Sequence, residues 1–326
     1  MKNIGEFGLI DRISTHFTAP AGVTGIGDDC AVIPQKSGLD TLISTDLLVE
    51  GRHFLLEDVS PRDLGWKSAA VNISDIAAMG GRPESAFLSI ALPGSLDAGW
   101  MDGFIEGFAT LCKRYGVQLL GGDTSLSPDR LFINITVTGS CPHGSAKLRR
   151  TACPGDIICV TGTLGDSACG LQLILERRGA AKRPFATQPL PEKDAEYLIE
   201  RHYRPIPRVE EGIKLSSNPA VHAMMDVSDG IASDLRHILD ASGCGAAVNL
   251  PELPLSESLQ RFCLSRGTDP YSPAVEGGED YELLFTIEPG ADAGVPCTPV
   301  GTITEGKGGI EWLGGSKKDY KGFTHF

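Results

Sequence analysis

The segment 61–79 constrains the fold most, because it predicts a helix that is apolar or small around most of its circumference. Ser60 suits the N-cap, Pro61 suits the first helical position, and Gly80-Gly81 suits the stop. Such a helix must be mostly buried, and a buried Asp75 carboxylate without a partner would be costly. The sequence therefore predicts a partner for Asp75 inside the fold.

Predicted strands and helices alternate along the chain, with one interruption at residues 142–154. Before it, strands are predicted at 41–49, 86–92, 117–120 and 131–138, and helices at 61–79 and 96–115. After it, strands are predicted at 156–160, 246–250, 281–287, 298–303 and 310–313, and helices at 168–178, 192–203, 207–216, 231–242 and 256–265. Strict α/β alternation would fit this order, but the strand pair 86–92 and 131–138 favours α+β halves with mixed sheets flanked by helices. We place the domains at 1–141 and 142–326.

Six short segments combine a carboxylate with glycine or serine near the end of an apolar run. They are GIGDD (25–29), STD (44–46), NISD (72–75), GGDT (121–124), DVSDG (226–230) and GGED (277–280). Clustered carboxylates raise one another's pKa unless a cation lies among them, and oxygen ligands of this kind select Mg²⁺. Glycine lets backbone N–H groups approach phosphate oxygens, and the candidates are Gly25, Gly27, Gly121, Gly122, Gly277 and Gly278.

Each segment also has a structural interpretation, because Gly-Asp after a strand is a common turn. Taken singly, most of them would be turns. The whole collection, with a carboxylate on a buried helix, favours a site for Mg²⁺ and phosphate.

The charge of the chain limits its partners. It carries 29 Lys and Arg against 42 Asp and Glu, a formal net charge of −13. We therefore expect no nucleic-acid partner and no attachment to anionic membrane, since both need clustered basic side chains. Small polyanions that arrive with Mg²⁺ are compatible with this charge. Nine scattered cysteines without a C-x-x-C pair, and no signal or membrane segment, predict a cytoplasmic protein with reduced thiols.

The standard nucleotide-binding loops are missing from the sequence. Residues 301–308 imitate a phosphate-binding loop but end in Gly308 where Ser or Thr should bind the metal, so we predict a strand and a turn there. No G-x-G-x-x-G opens a helix, and no protein-kinase motif set or G-x-S-x-G elbow occurs.

The order of the motifs is nevertheless distinctive. The segments GIGDDCAVI, STDLLVEGRHF, AVNISDIAAMGG, GGDTS, PGDIICVTGTLGDSACGL, RPIPR, MDVSDGIASDL and GGEDYELLF, with the ending KGFTHF, resemble the thiamine-monophosphate kinase family. That family is part of the aminoimidazole-ribonucleotide-synthetase-like superfamily of ATP-binding proteins. The resemblance covers essentially the whole chain. GDD and GGD are shared across the superfamily, whereas STD…GRHF, RPIPR and the ending are more specific to the kinases.

The resemblance implies a two-domain fold of that superfamily, with the N-terminal domains pairing in a homodimer. It also implies transfer of the γ-phosphoryl group of ATP to thiamine monophosphate, giving thiamine diphosphate and ADP. Several Mg²⁺ ions would assist, no covalent enzyme intermediate would form, and ATP would lie in a groove beside the N-terminal domain.

The motif match carries site residues onto this chain. The implied metal ligands are Asp29, Ser44, Thr45, Asp46, Asp75, Asp123, Asp226 and Asp229; Asp29, Asp75, Asp123 and Asp226 would support the transfer. The implied ATP contacts are Gly122, Asp123, Arg149 and Ser228, the spacing to residues 154–156 favouring Arg149 over Arg150. The implied thiamine-phosphate contacts are His53, Glu279 and Tyr320, the last often Trp in the family. From the residues alone, a satisfied loop histidine is the less favoured alternative for His53, whereas Tyr320 could equally be a packing anchor.

Two other functions stay open at this point. A related enzyme could phosphorylate an amide or carbonyl oxygen, or a selenium nucleophile; the last would need a reactive cysteine in a flexible N-terminal loop, and we expect Cys30 to be packed and inert. A non-catalytic sensor of metal or nucleotide could use the same carboxylates, but it would leave the segment 51–53 and the C-terminal motif without a function.

Overall fold

The computed structural model describes residues 21–24, 28–35, 38–181, 189–306, 309–315 and 320. The first of two sheets contains β1 (Ala31–Pro34), β2 (Leu39–Val49), β3 (Arg82–Pro93), β4 (Gln118–Ser127) and β5 (Phe132–Pro142). Its strand order is β1-β2-β5-β3-β4, and the neighbours are antiparallel except for the parallel pair β3 and β4.

The second sheet is formed by the second half of the chain. It contains β6 (Ile157–Val160), β7 (Val221–Asp226), β8 (Gly245–Asn249), β9 (Leu283–Ile287), β10 (Thr298–Thr304) and β11 (Ile310–Leu313). Its order is β11-β8-β10-β6-β9-β7, with β8 and β11 parallel and the other neighbours antiparallel. The predicted α+β architecture with mixed sheets is confirmed, including the pairing of β3 with β5.

Eight α-helices flank these sheets in the described part of the chain. They are α1 (Pro61–Ala78), α2 (Ala98–Tyr115), α3 (Asp166–Arg177), α4 (Glu192–Tyr203), α5 (Val209–Ser217), α6 (Ile231–Ser242), α7 (Glu257–Arg266) and α8 (Tyr271–Glu276). Short 3-10 helices lie at Arg149–Thr151 and Leu250–Glu252. None of the helices described is long and apolar enough to cross a membrane.

Helix α1 connects the two halves. The Ser60 side chain accepts a hydrogen bond from the Asp63 amide at 3.0 Å, and Pro61 occupies the first turn. The helix packs on β2, β5 and α2 of the first half and on α5 and β7 of the second. It is therefore buried on most sides, as its composition predicts.

Several elements differ from the prediction, and strand β1 was not predicted at all. Strand β4 runs to Ser127 and carries Gly121–Thr124 within it, although glycine and aspartate have low strand propensity; its pairing with β3 decides the conformation. Strand β7 was not predicted, because a run that is buried except at His222 lacks the alternation of a half-buried strand. Helix α8, a single short segment, was not predicted. The domain boundary near 142–154 stays a prediction.

Candidate active site

Three carboxylates from distant parts of the chain meet in one place. Oxygen atoms of Asp29, Asp75 and Asp226 all lie within 4.8 Å of one another. Asp29 precedes β1, Asp75 lies in the last turn of α1, and Asp226 ends β7. Both halves of the protein therefore contribute to this carboxylate cluster.

Hydroxyl groups hold the carboxylate cluster in place. The Ser44 hydroxyl on β2 donates to the Asp75 carboxylate. Ser74, the residue before Asp75, donates to Asp226 Oδ2 at 2.5 Å. The next inward-facing residue of β2 is Asp46, whose amide donates to Asn72 Oδ1 of α1 at 3.2 Å.

The electrostatics of the cluster favour a bound cation. Burial, reinforced by the neighbouring Asp29, raises the pKa of Asp46 to about 6. Burial and Asp29 likewise raise the pKa of Asp226 to about 7, against the opposing hydrogen bond from Ser74. The pKa of Asp75 lies well above its ordinary value because of burial and the charges of Asp46 and Asp226. Oxygen donors that repel one another in this way fit Mg²⁺, which would remove the repulsion.

Arg149 places a positive charge beside the carboxylate cluster. Its Nη2 and Nε lie 2.6 and 3.3 Å from the two carboxylate oxygens of Asp29, and its amide donates to Asp28 Oδ1 at 2.8 Å. Arg150 is exposed on the adjacent turn. The structure thus brings Arg149 to the site of Asp29.

Several predicted residues lie apart from the carboxylate cluster. The Thr45 hydroxyl is on the opposite face of β2 from Ser44 and donates to Ile135 O at 3.1 Å. Gly122 and Asp123 are exposed on the edge strand β4. The strand registers place Gly122 in one row with Asp46, three strands away, which is about 14 Å at the usual strand spacing. Gly25 and Gly27 fall outside the described residues.

The segments 226–230 and 277–281 lie side by side next to the cluster. The amides of Glu279 and Tyr281 donate to the carbonyls of Ser228 and Val227 at 2.8 and 2.9 Å. A side chain at Gly278 would come within 2.2 Å of the Ser228 carbonyl, so glycine is required there. Glu279 and Tyr281 have φ values of 65° and 52°, which side-chain-bearing residues rarely adopt.

The sequence interpretation missed the buried partners of these segments. Asp234 on α6 is 1% exposed and accepts a hydrogen bond from the Asp229 amide at 3.1 Å. Lys67 on α1 is 1% exposed, and its Nζ lies 2.9 Å from Glu279 Oε2. A lysine on a helix predicted to be buried is the same signal that drew attention to Asp75, and it could have identified Lys67.

His202 completes the surroundings of Lys67. Its Nε2 lies 3.5 Å from Lys67 Nζ and its Nδ1 lies 3.0 Å from the Ser167 hydroxyl. Burial and the Lys67 charge lower the pKa of His202 to about 3, so the imidazole is neutral near pH 7. Burial would raise the pKa of Glu279, but the charge of Lys67 and its hydrogen bond outweigh burial, and the pKa is lowered. Glu279 is therefore held as a carboxylate.

The other two residues predicted to contact thiamine monophosphate, His53 and Tyr320, lie in surroundings different from those of Glu279. His53 lies in the turn after β2, and its Nδ1 accepts a hydrogen bond from the Val49 amide at 2.9 Å. Tyr320 is 1% exposed, packs edge-on against Trp312 with ring centroids 5.4 Å apart, and its hydroxyl lies 3.3 Å from Asp269 Oδ2. The remainder of the C-terminal motif lies outside the described residues.

The comparisons with known proteins agree with this architecture. Residues 27–141 match the family model described as AIR synthase related protein, N-terminal domain, and residues 153–312 match the corresponding C-terminal domain. Fold and site together define an AIR synthase-related protein of two domains.

Relatives within that class are more specific. The thiamine-monophosphate kinase of Escherichia coli O157:H7 is 41% identical over 338 residues, covering 99% of this chain and 98% of the relative. That of Aquifex aeolicus is 35% identical, covering 100% and 99%. The solved structure described as AaThiL complexed with AMPPCP and TMP has a TM-score of 0.87 at 34% identity, covering 100% and 98%. The chain belongs to the thiamine-monophosphate kinase family and is a phosphotransferase.

Proposed function

We propose that this chain uses ATP to phosphorylate thiamine monophosphate, giving thiamine diphosphate and ADP as the last step of thiamine diphosphate biosynthesis. The observation that carries the proposal is the meeting of Asp29, Asp75 and Asp226, from both halves, in a chain of this family. A similar solved protein is described in complex with AMPPCP, an ATP analogue, and TMP together.

The proposed metal ligands are Asp29, Ser44, Thr45, Asp46, Asp75, Asp123, Asp226 and Asp229, which would hold several Mg²⁺ ions. When bound, Mg²⁺ neutralises phosphate oxygens and aligns the transferring group. Asp226 is buried, Asp29 and Asp75 are half-buried beside it, and Asp46 is half-buried on β2. The raised pKa values of Asp46, Asp75 and Asp226 give the physical reason for recruiting cations. A cation at Asp29 would also compete with Arg149 for that carboxylate, leaving the guanidinium to donate to an ATP phosphate.

The transfer needs no covalent catalyst and no general base. The acceptor is a phosphate oxygen that is largely ionised at neutral pH, since the second pKa of a phosphomonoester is about 6. The protein's contribution is to align two polyanions and to stabilise the charge between them. Gly122, Asp123, Arg149 and Ser228 are the proposed ATP contacts.

His53, Glu279 and Tyr320 are the proposed contacts to thiamine monophosphate. Glu279 has the strongest support, because buried Lys67 keeps it ionised beside the segment that carries Ser228. A fixed carboxylate suits a substrate with a cationic ring. The role of Tyr320 would require its aromatic face, because its hydroxyl faces Asp269.

We also propose that the N-terminal domains pair in a homodimer. Residues 118–126 of β4 are all exposed, including Leu120 at 63% and Leu126 at 78%. An exposed, apolar edge strand is a site for pairing with another chain. A partner's β4 could also bring Gly122 and Asp123 to a nucleotide, since within one chain they lie three strands from Asp46.

All nine cysteines are free thiols, which supports the proposed cytoplasmic location, where thiols stay reduced. Cys30 is buried at 2% exposure and burial raises the pKa of its thiol well above the ordinary value. This argues against a reactive thiol at the site.

Release of ADP from ATP and Mg²⁺ tests the proposal, with thiamine monophosphate and unphosphorylated thiamine compared as acceptors. We expect turnover with the monophosphate and little with thiamine. Asp75→Asn should lower the rate at least a hundredfold while preserving the fold, because it removes a charged ligand from the middle of the carboxylate cluster. Absence of turnover with every phosphate acceptor would favour a sensor, and full activity of Asp75→Asn would refute the assigned metal site.

A further inference from the structure

A second group of ligating side chains lies outside the site described above, at the start of the second sheet. Residues 153–156 form a tight turn in which the Asp156 amide donates to the Cys153 carbonyl at 3.0 Å. Pro154 occupies the second position and Gly155 the third, with a φ of 96° that suits glycine. The Cys153 amide donates in turn to Asp156 Oδ2 at 2.9 Å. The turn is thus fixed at both ends.

This spacing has a chemical consequence. Zinc-binding turns of the form C-x-x-C present the first and fourth side chains to one ion. Here the first residue is Cys153 and the fourth is Asp156, so the turn offers one sulfur and one carboxylate.

His222 on the adjacent strand β7 supplies a third donor. Its Nδ1 lies 3.0 and 2.9 Å from the two carboxylate oxygens of Asp156. One ligand atom each from Cys153, Asp156 and His222 lie within 4.8 Å of one another. Asp156 is 2% exposed, His222 is half-buried and Cys153 is exposed, so the group is anchored on one side and open to solvent on the other.

The donor set differs in kind from the carboxylate cluster. Sulfur and imidazole ligands favour Zn²⁺ over Mg²⁺, whereas the carboxylates at Asp75 favour Mg²⁺. Glu288 Oε1 lies 3.4 Å from His222 Nε2, which places a carboxylate behind the imidazole as in many zinc sites. An ion pair between His222 and Asp156 would join the turn to β7 but would give Cys153 no function.

We propose that Cys153, Asp156 and His222 form a site for a divalent cation of the Zn²⁺ class, with water in the remaining coordination position. The ion would replace the direct contact of His222 with Asp156 and bind both through it. The segment ahead of the turn carries Arg149, and Thr151 Oγ1 already donates to the His222 carbonyl at 2.7 Å. A bound ion would therefore join this segment more firmly to β7, which ends at Asp226.

The test is a titration of the full chain with ZnCl₂ by calorimetry, in excess Mg²⁺ so that the carboxylate cluster is occupied. We expect one Zn²⁺ per chain, with affinity lowered at least tenfold by Cys153→Ser and by His222→Asn. Co²⁺ in place of Zn²⁺ should give a thiolate absorption band that is absent in Cys153→Ser.

Two matched variants control for unspecific binding. Cys297→Ser removes a half-buried thiol elsewhere in the second half of the chain, and His143→Asn removes a histidine of the first half that pairs with Asp40 at 2.7 Å. Both should bind Zn²⁺ like the unsubstituted chain. The proposal would be overturned if the unsubstituted chain did not bind Zn²⁺, or if Cys153→Ser bound it with unchanged affinity. It would also be overturned if Cys297→Ser lost as much Zn²⁺ affinity as Cys153→Ser. Cys153 is exposed, so its serine variant should fold; the circular dichroism spectrum checks this.

Discussion

Lys67→Met tests whether the partly buried ion pair between Lys67 and Glu279 fixes the carboxylate that is proposed to bind thiamine monophosphate. Methionine keeps most of the aliphatic stem but removes the ammonium that lies 2.9 Å from Glu279. A hydrogen bond to a charged group contributes about 1.5–3 kcal/mol, and breaking a fully buried pair costs about 3–5 kcal/mol. The Glu279 side chain is 27% exposed, so water can replace part of the lost interaction. We therefore expect a loss of about 2 kcal/mol in unfolding free energy.

The stability assay is urea denaturation followed by tryptophan fluorescence, to which the neighbouring Trp66 contributes. The double variant Lys67→Met with Glu279→Gln removes both charges, so it should be less destabilised than the sum of the single variants, by about 1–3 kcal/mol. The pKa of Glu279 is lowered in the fold, so the stabilisation is present above the ordinary value of 4.5 and is lost as pH falls through the folded value. The cost of Lys67→Met should accordingly shrink below pH 4.5.

Activity gives an independent measure of the same pair. If Glu279 binds thiamine monophosphate, Lys67→Met should raise KM for that substrate about tenfold, which corresponds to about 1.4 kcal/mol, and leave KM for ATP nearly unchanged. Additive stability effects in the double variant, together with an unchanged KM, would refute the assigned pair.

Three further outcomes follow from the structure. Asp75→Asn should raise the Tm of the metal-free protein at pH 8, because it removes a carboxylate that its neighbours repel. The same variant should lose most of the Tm increase that MgCl₂ gives to the unsubstituted protein. An equal increase with MgCl₂ in both proteins would contradict this. Neutral His202, with a folded pKa of about 3 against an ordinary 6.5, should cost about 1.4 kcal/mol of stability per pH unit as pH falls below 6.5. His202→Gln should therefore flatten the acid side of the stability profile, and an unaltered slope would exclude the buried neutral form. The double variant Leu120→Lys with Leu126→Lys should convert a dimer to a monomer in light scattering, whereas Leu264→Lys, at a residue that is 66% exposed in the other half, should not. A dimer in both variants would contradict the proposed interface.

The sequence predicts the long elements well and the short buried ones poorly. Helix α1 carries its own boundaries in Ser60, Pro61 and Gly80, so local chemistry specifies it. Strand β7 has no such signals, because its apolar run is buried by neighbouring elements and its conformation is decided by pairing with β9. Strand β4 is extended through Gly121–Thr124 by β3 for the same reason.

The candidate site likewise contains some residues that the sequence could predict and others that it could not. Asp29, Asp75 and Asp226 could be predicted from glycine, serine and carboxylate patterns and from the family resemblance, and the structure brings their side chains together. Whether Thr45 or Ser44 faces the carboxylate cluster depends on the register of β2, because neighbouring residues of a strand point to opposite faces of the sheet. The sequence alone could not supply that register. The contact between Lys67 and Glu279 joins residues 212 positions apart, so local sequence could not supply it.

Helix α1 carries residues of both proposed binding regions at a fixed spacing. It holds Lys67 beside Glu279 and Asp75 in the carboxylate cluster, eight residues apart, or about 12 Å along a rigid axis. Under the proposed function, the helix therefore fixes the distance between Glu279, which binds the acceptor, and the metal ions at the carboxylate cluster, where the phosphoryl group is transferred. An acceptor lacking its phosphate would end short of the metal ions however well its ring were bound. Selection of the monophosphate over free thiamine would thus depend on the length of the acceptor, compared with a distance that a rigid helix packed between both halves of the protein keeps fixed.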